Sequence, residues 1–178
     1  MMRVAGGDEE AFAELVRATK RRVCGLVYRF TGSAREADDL AQEAYLRVWL
    51  ARGRYRPEAR FSTWLFTIVA RLCLNERDKM RRREDAAAPS PAAVSPSVAP
   101  PAPPDALEQR EQAVAVRAAV LELAEGPRMA ITLRYFGGLS DLETAEAMGL
   151  SLPAVQALLF RGRQKLLARL GQAAPSGA

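Results

Sequence analysis

Between Arg52 and Trp64 the chain interleaves cations with aromatic rings: Arg52, Arg54, Tyr55, Arg56, Arg60, Phe61 and Trp64. Guanidinium groups hold a phosphate backbone, and flat rings beside a loop hold bases that have left the stack. The mixture suits single-stranded or melted nucleic acid better than intact duplex. Phe61 and Trp64 also meet the requirements of core residues, and both roles stay open for them. A second polar series follows at Arg71, Asn75, Arg77, Lys79, Arg81, Arg82 and Arg83; its last three members fit phosphate contact or a solvated lead into a linker. A third set is acidic. Asp38, Asp39, Gln42, Glu43, Leu46 and Trp49 fall on one side of a helix, which makes either a solvated acidic face with two core residues or a face that docks a protein.

The most specific local pattern lies at 140–160, SDLETAEAMGLSLPAVQALLF. Ser140 and Glu143 form a capping box that starts a helix. Ala145 is a small residue where two helices cross, and Gly149 stands where a tight turn needs positive φ. Val155 turns back into the crossing, with Met148, Leu150 and Leu158 filling it. Ser151 caps the second helix and Pro153 sits in its first turn, where no amide donor is required. An ordinary helical hairpin shares much of this pattern. The basic flank of Arg161, Arg163, Lys165 and Arg169, with no acid among them, favours a DNA-binding helix-turn-helix instead. The expected exposed part of its second helix is Ala154, Gln156, Ala157 and Leu159. Only Gln156 there can read a base edge by hydrogen bonds, so permissive reading is expected.

Several chemistries are excluded at the outset. The chain has no histidine, which removes the commonest general base and metal ligand. Its two cysteines, Cys24 and Cys73, lie in apolar helical patterns and are expected to be structural thiols. No phosphate-binding glycine loop or nucleophile elbow occurs. No catalytic residue, metal ligand, cofactor or small-molecule substrate is therefore expected. The first residues turn acidic by Asp8 without an apolar run, and no stretch is long enough to span a bilayer, so a cytoplasmic protein without membrane insertion is expected. Net charge is +5. Residues 1–85 carry 18 Lys/Arg against 13 Asp/Glu, whereas residues 105–178 carry 8 of each sign. The whole excess lies in the first half, and it points to a polyanionic partner.

The elements that must position these groups are helices. The spacing predicts one from about Asp8 to Thr31, stopped by Gly32, and a second opened by a Ser33/Glu36 capping box. A loop from Arg52 to Arg60 precedes a long helix over about 62–83. Residues 86–104, AAAPSPAAVSPSVAPPAPP, hold seven prolines and no charge, which prevents helix and sheet alike. Further helices are expected over about 105–124 and 128–136, broken at Gly126-Pro127 and stopped at Gly137-Gly138. The fold class is thus all-α: two small helical domains over 1–83 and 105–172, joined by a flexible Ala/Pro linker over 84–104.

The order of these pieces resembles the extracytoplasmic-function sigma factors of bacterial RNA polymerase. The matching stretches are GDEEAFAELV at 7–16, DDLAQEAYLRVW at 38–49, RFSTWLFTIVARLCLNE at 60–76, ITLRYFGGLSDLETAEAMGL at 131–150 and LLFRGRQKL at 158–166. The resemblance implies a sigma region 2-like bundle and a sigma region 4-like helix-turn-helix that bind core polymerase and direct initiation at promoters. It implies that Asp38, Asp39, Leu40, Gln42, Glu43, Leu46 and Trp49 dock on the largest subunit. It implies that Arg54, Tyr55, Arg60, Trp64, Arg71, Asn75, Arg77 and Lys79 melt and read the minus-10 element. Ser151, Ala154, Gln156, Ala157, Phe160, Arg161, Arg163 and Lys165 would contact the minus-35 element in duplex DNA, beside the flap of the second-largest subunit. An anti-sigma factor is a further implied partner. The chain departs from the family pattern at Ala154, Gln156, Ala157 and Leu158, at Arg71 where many relatives have Asn, and at 123–128. Two alternatives stand beside this reading: a stand-alone helix-turn-helix regulator, and a polymerase-docking protein that no longer reads promoters.

Overall fold

A computed structural model describes residues 1–57, 60–86 and 104–171. All regular structure among them is helical: α1 (Met2–Ala5), α2 (Glu9–Thr31), α3 (Ala34–Leu50), α4 (Phe61–Ala86), α5 (Pro104–Leu121), α6 (Glu125–Ile131), α7 (Asp141–Met148) and α8 (Leu152–Gly171). A short 3-10 turn at Arg52–Arg54 and a π-helical stretch at Thr132–Phe136 join the set. Residues 87–103, most of the expected linker, lie outside the described residues; α4 runs through Ala86 and α5 opens at Pro104.

Local chemistry sets the helix ends. Asp8 accepts the Ala11 amide at 2.8 Å and starts α2, and Gly32 stops it at φ 81°, a backbone that other residues adopt only under strain. At α3 only half of the expected capping box forms. Ser33 Oγ accepts the Glu36 amide at 3.2 Å, but the Ser33 amide donates to the Thr31 hydroxyl at 3.2 Å and not to Glu36. The nearer hydroxyl wins, leaving Glu36 partly desolvated, its carboxyl pushed up by that burial and pulled back by Arg77. At α6 the expected break at Gly126-Pro127 is a helix start, because Pro127 occupies the first turn, where its missing amide is not needed.

The two halves pack against each other. In the first half α2, α3 and α4 bury Val23, Leu26, Val27, Phe30, Tyr45, Val48, Leu65, Phe66 and Val69. Met129, Leu133, Leu139 and Ala147, from the second half, complete the same apolar cluster. Val120, Leu123, Ile131, Val155 and Leu159 form a second, smaller core among α5, α6 and α8. Cys73 belongs to the first core, and burial pushes its thiol up to about 12, so it packs as a small apolar group. Cys24 is half-buried, with its sulfur 3.9 Å from Asp38, and burial also raises its thiol.

Candidate nucleic-acid and docking surfaces

On the outer side of the first half, α2 and α3 leave an open groove of about 900 Å³ between them. Phe12 and Trp49 meet at its floor with ring centroids 5.0 Å apart. Asp38, Asp39 and Glu43 line it with Gln42, and Leu46 stands 52% exposed at its edge. Helical spacing in α3 explains why these six polar and apolar groups face together. Leu40 does not join them; it is half-buried against the core. The groove is braced from below. The Tyr45 and Thr19 hydroxyls bond at 2.8 Å, and the Arg52 guanidinium stacks 4.2 Å from the Trp49 ring while donating to the Trp49 carbonyl. A fixed apolar floor under an acidic rim suits a basic, partly apolar protein element.

The basic–aromatic set gathers at the other end of α4. Tyr55 lies 5.4 Å from Trp64 and 6.1 Å from Phe61, edge to face in both cases. All three rings are half-buried, while Arg54, Arg56 and Arg60 around them are exposed. Phe61 and Trp64 thus each pack against neighbouring rings while staying partly exposed, an arrangement that leaves both of their expected roles open. Along α4, Arg60, Trp64, Arg71, Asn75 and Lys79 follow one helical stripe, and Arg71 and Asn75 are exposed on it. Lys79 pairs with Glu76 at 3.1 Å. Arg77 falls on the inner stripe with Thr63, Phe66 and Cys73, and its guanidinium faces Glu125 of the second half at 4.0 Å.

In the second half, α7 opens with a complete capping box: Ser140 Oγ accepts the Glu143 amide at 3.1 Å, and Glu143 Oε2 accepts the Ser140 amide at 2.8 Å. Gly149 turns the chain at φ 66°, and Ala145 and Val155 are buried in the crossing. Leu159 is buried as well, at 1% exposure, contrary to the expected exposed face. It stands one turn beyond Val155 and shares its inward stripe. Leu150, expected to fill the crossing, is exposed instead, because the left-handed Gly149 swings it outward. The outward face of α8 is Gln156, Ala157, Phe160, Arg161 and Arg163, beside a partly covered Ala154 and an exposed Ser151 at the helix start. Of the basic flank, Lys165 donates to the Glu122 carbonyl at 2.9 Å and Arg169 pairs with the Glu122 carboxylate at 3.0 Å, which ties α8 to the end of α5.

Between the halves runs a polar frame around the shared core. Arg128 donates to the Leu121 and Leu123 carbonyls and, at 3.0 Å, to the Phe30 carbonyl at the end of α2. Arg22 donates to the Gly137 carbonyl, and Thr63 donates to Glu143 Oε1 at 2.7 Å. Arg29 stacks 4.5 Å from Phe136, and Arg117 lies 5.1 Å from Tyr28.

Comparison with known proteins agrees with this two-part layout. Sigma-70 region 2 matches residues 15–84, and Sigma-70, region 4 matches residues 113–166. The ECF RNA polymerase sigma factor SigW of Bacillus subtilis (strain 168) is 31% identical over 176 residues, covering 94% of this chain and 92% of that protein. The chain belongs to the ECF RNA polymerase sigma factors. The RNA polymerase sigma-H factor of Pseudomonas aeruginosa is similar at 32% identity, covering 92% of this sigma factor and 88% of its own length. Among solved structures, CnrH in complex with the cytosolic domain of CnrY superposes with a TM-score of 0.69 at 26% identity, over 96% of this chain and 94% of that one. This sigma factor therefore directs RNA polymerase to promoters, and the stand-alone regulator is not favoured.

Three residues that matter to this architecture escape a reading of the sigma factor's sequence. Gly162 is buried where α8 crosses α6; a Cβ there would lie 2.7 Å from Ile131. Its signal was a glycine in mid-helix, which costs helix stability and so marks a close approach. Arg128 and Thr63 carry no such signal, because their partners Phe30 and Glu143 are distant in sequence.

Proposed function

We propose that this sigma factor divides its work among three surfaces. The α2–α3 groove, with Asp38, Asp39, Gln42, Glu43, Leu46 and Trp49, docks on the largest subunit of core polymerase. Leu40 supports that face from the core side. The α4 stripe and its aromatic corner, with Arg54, Tyr55, Arg60, Trp64, Arg71, Asn75 and Lys79, hold the melted minus-10 element; Arg77 joins them only when it leaves Glu125. The exposed face of α8, with Gln156, Ala157, Phe160, Arg161 and Arg163 and its start at Ser151 and Ala154, lies along the minus-35 duplex beside the flap of the second-largest subunit. Lys165 acts chiefly as a brace. An anti-sigma factor is the regulatory partner, a reading supported by the likeness to CnrH, which was solved bound to CnrY. The protein performs no chemistry of its own, since the phosphodiester step belongs to the polymerase core. Two promoter contacts joined through one polymerase-bound chain act by effective concentration, so each half can bind weakly alone.

The observation that carries this reading is the groove: an aromatic floor, an acidic rim and a projecting Leu46, braced from beneath and left open. Binding to immobilised core polymerase tests it. Charge reversal at Asp39 and replacement of Leu46 by Ala should reduce capture together. Full capture by both variants would move the docking face elsewhere.

A further inference from the structure

We propose that Arg22, Arg29 and Arg117 form an anion site that takes a short phosphoryl chain, inorganic triphosphate or the triphosphate of a nucleotide. None of the three belongs to the α2–α3 groove, the α4 stripe or the outward face of α8. Arg22 and Arg29 stand seven residues apart on α2, so two helical turns bring them to one stripe, about 10 Å apart along the axis. That stripe faces the end of the π-helical stretch. The Arg22 guanidinium donates to the Gly137 carbonyl, and Arg29 stacks 4.5 Å from the ring of the adjoining Phe136. Arg117 reaches the same place from α5. Its guanidinium lies 5.1 Å from the ring of Tyr28, the residue before Arg29.

These cations lack a counter-charge. Among the described residues none of the three pairs with a carboxylate, whereas Arg134 and Arg169 of the second half each hold one. Arg29 and Arg117 are also half-buried. Burial pulls the Arg29 guanidinium below its ordinary range, and the nearby charge of Arg117 adds to that pull. Ring contacts explain one guanidinium over one ring. They do not explain two like charges brought together partly out of water, an arrangement that is costly until an anion enters. The chemistry of the site narrows what enters. Arg29 spends one donor on the Gly25 carbonyl at 2.9 Å, and a guanidinium has five, so donors remain for phosphoryl oxygens. A single phosphate meets only the Arg29–Arg117 pair, while a phosphoryl chain also reaches Arg22. Tyr28 and Phe136 each already hold a guanidinium, which leaves no ring dedicated to a base. The site therefore recognises the phosphoryl chain and is indifferent to a nucleoside attached to it.

Isothermal titration of the full chain at fixed ionic strength tests the site, with orthophosphate, inorganic triphosphate and ATP as probes. One saturable site for inorganic triphosphate is expected, with ATP within about threefold of it and orthophosphate about tenfold weaker or more. Arg117→Gln should weaken triphosphate binding about tenfold, the scale of one lost charge-assisted hydrogen bond. Arg117→Lys keeps the charge and should retain most of the affinity. Arg17→Ala with Arg21→Ala, exposed positions on the same helix, should bind as the parent does. Absence of saturable triphosphate binding, or parental binding by Arg117→Gln, overturns the site. An equal loss with the Arg17 and Arg21 changes overturns it too, since the anion would then follow basic surface at large. A loss with Arg117→Lys as large as with Arg117→Gln would trace the effect to packing and not to charge, which also contradicts the proposal. Tight binding of ATP without binding of inorganic triphosphate overturns the phosphoryl chain as the recognised group. None of these outcomes depends on polymerase or promoter DNA.

Discussion

The α2–α3 groove and the α4–α7 junction are made of similar materials and have opposite fates. Each joins two helices, and each combines an apolar floor with carboxylates at its edge. At the junction, Thr63, Arg22 and Arg128 find acceptors in the other half, and Met129, Leu133 and Leu139 fill the space. At the groove, Leu46 stands half exposed among the described residues, and Phe12 and Trp49 stack beneath an open rim. The difference separates a surface the chain satisfies by itself from one that we propose it holds ready for another molecule. Braced aromatic rings under an exposed leucine are costly to leave in water unless a partner covers them.

The largest expected effect breaks the junction. Arg128→Ala strips a donor from the Phe30, Leu121 and Leu123 carbonyls at once, and should destabilise the fold by about 2–4 kcal/mol in urea unfolding. It should also split a single transition into two; an unchanged single transition would mean the halves do not depend on this side chain. Next, Gly162→Ala drives a methyl into Ile131 and should cost about 1–3 kcal/mol, confined to the second half. Asp39→Ala with Gln42→Ala sharpens the other side of the comparison: core-polymerase binding should weaken about tenfold while the urea midpoint moves by less than about 0.5 kcal/mol equivalent, because exposed positions rarely carry stability. Arg161→Ala with Arg163→Ala should lower binding to all upstream sequences about equally and reduce the salt slope by about 2, as loss of two phosphate contacts requires. A sequence-selective loss would instead assign them to base edges.

The smallest effect is a pH dependence at the junction. The Ser140 amide, then the Thr63 hydroxyl, hold the Glu143 carboxyl below its ordinary value. A depressed carboxyl favours the folded form when ionised, so its contribution is complete above the ordinary carboxylate range and fades as the pH falls below it. The difference in urea midpoint between the parent chain and Glu143→Gln should therefore shrink on acidification from neutral pH toward pH values of about 3. A constant difference would remove the Glu143 charge from the account.

How much of this could be read from residues alone depends on distance along the chain. Asp8, Gly32, Ser140 with Glu143, Gly149 and Pro153 act within one helical turn, and they place the helix ends and the helix-turn-helix where the spacing predicts them. The α3 face was legible for the same reason, since helical periodicity alone brings Asp38, Gln42 and Leu46 to one side. Leu159 was misplaced although its spacing from Val155 carried the answer. The junction was not legible at all. Thr63 and Glu143 are separated by 80 positions and Arg128 and Phe30 by 98, and such pairs leave no periodic trace. The charge asymmetry between the halves was visible, but not that Arg22, Arg77 and Arg60 would direct it across the junction.

We propose that core polymerase seats this chain at the open groove, and that promoter use follows from that seating. Run-off transcription with bacterial core polymerase, on a promoter recovered by the parent chain, measures it directly when Asp39→Ala with Gln42→Ala is titrated against the parent. The account predicts that the variant needs about ten times more protein to reach the same transcript, from the same start site. Equal titration curves, or no start-site-specific transcript with the parent chain, would contradict it.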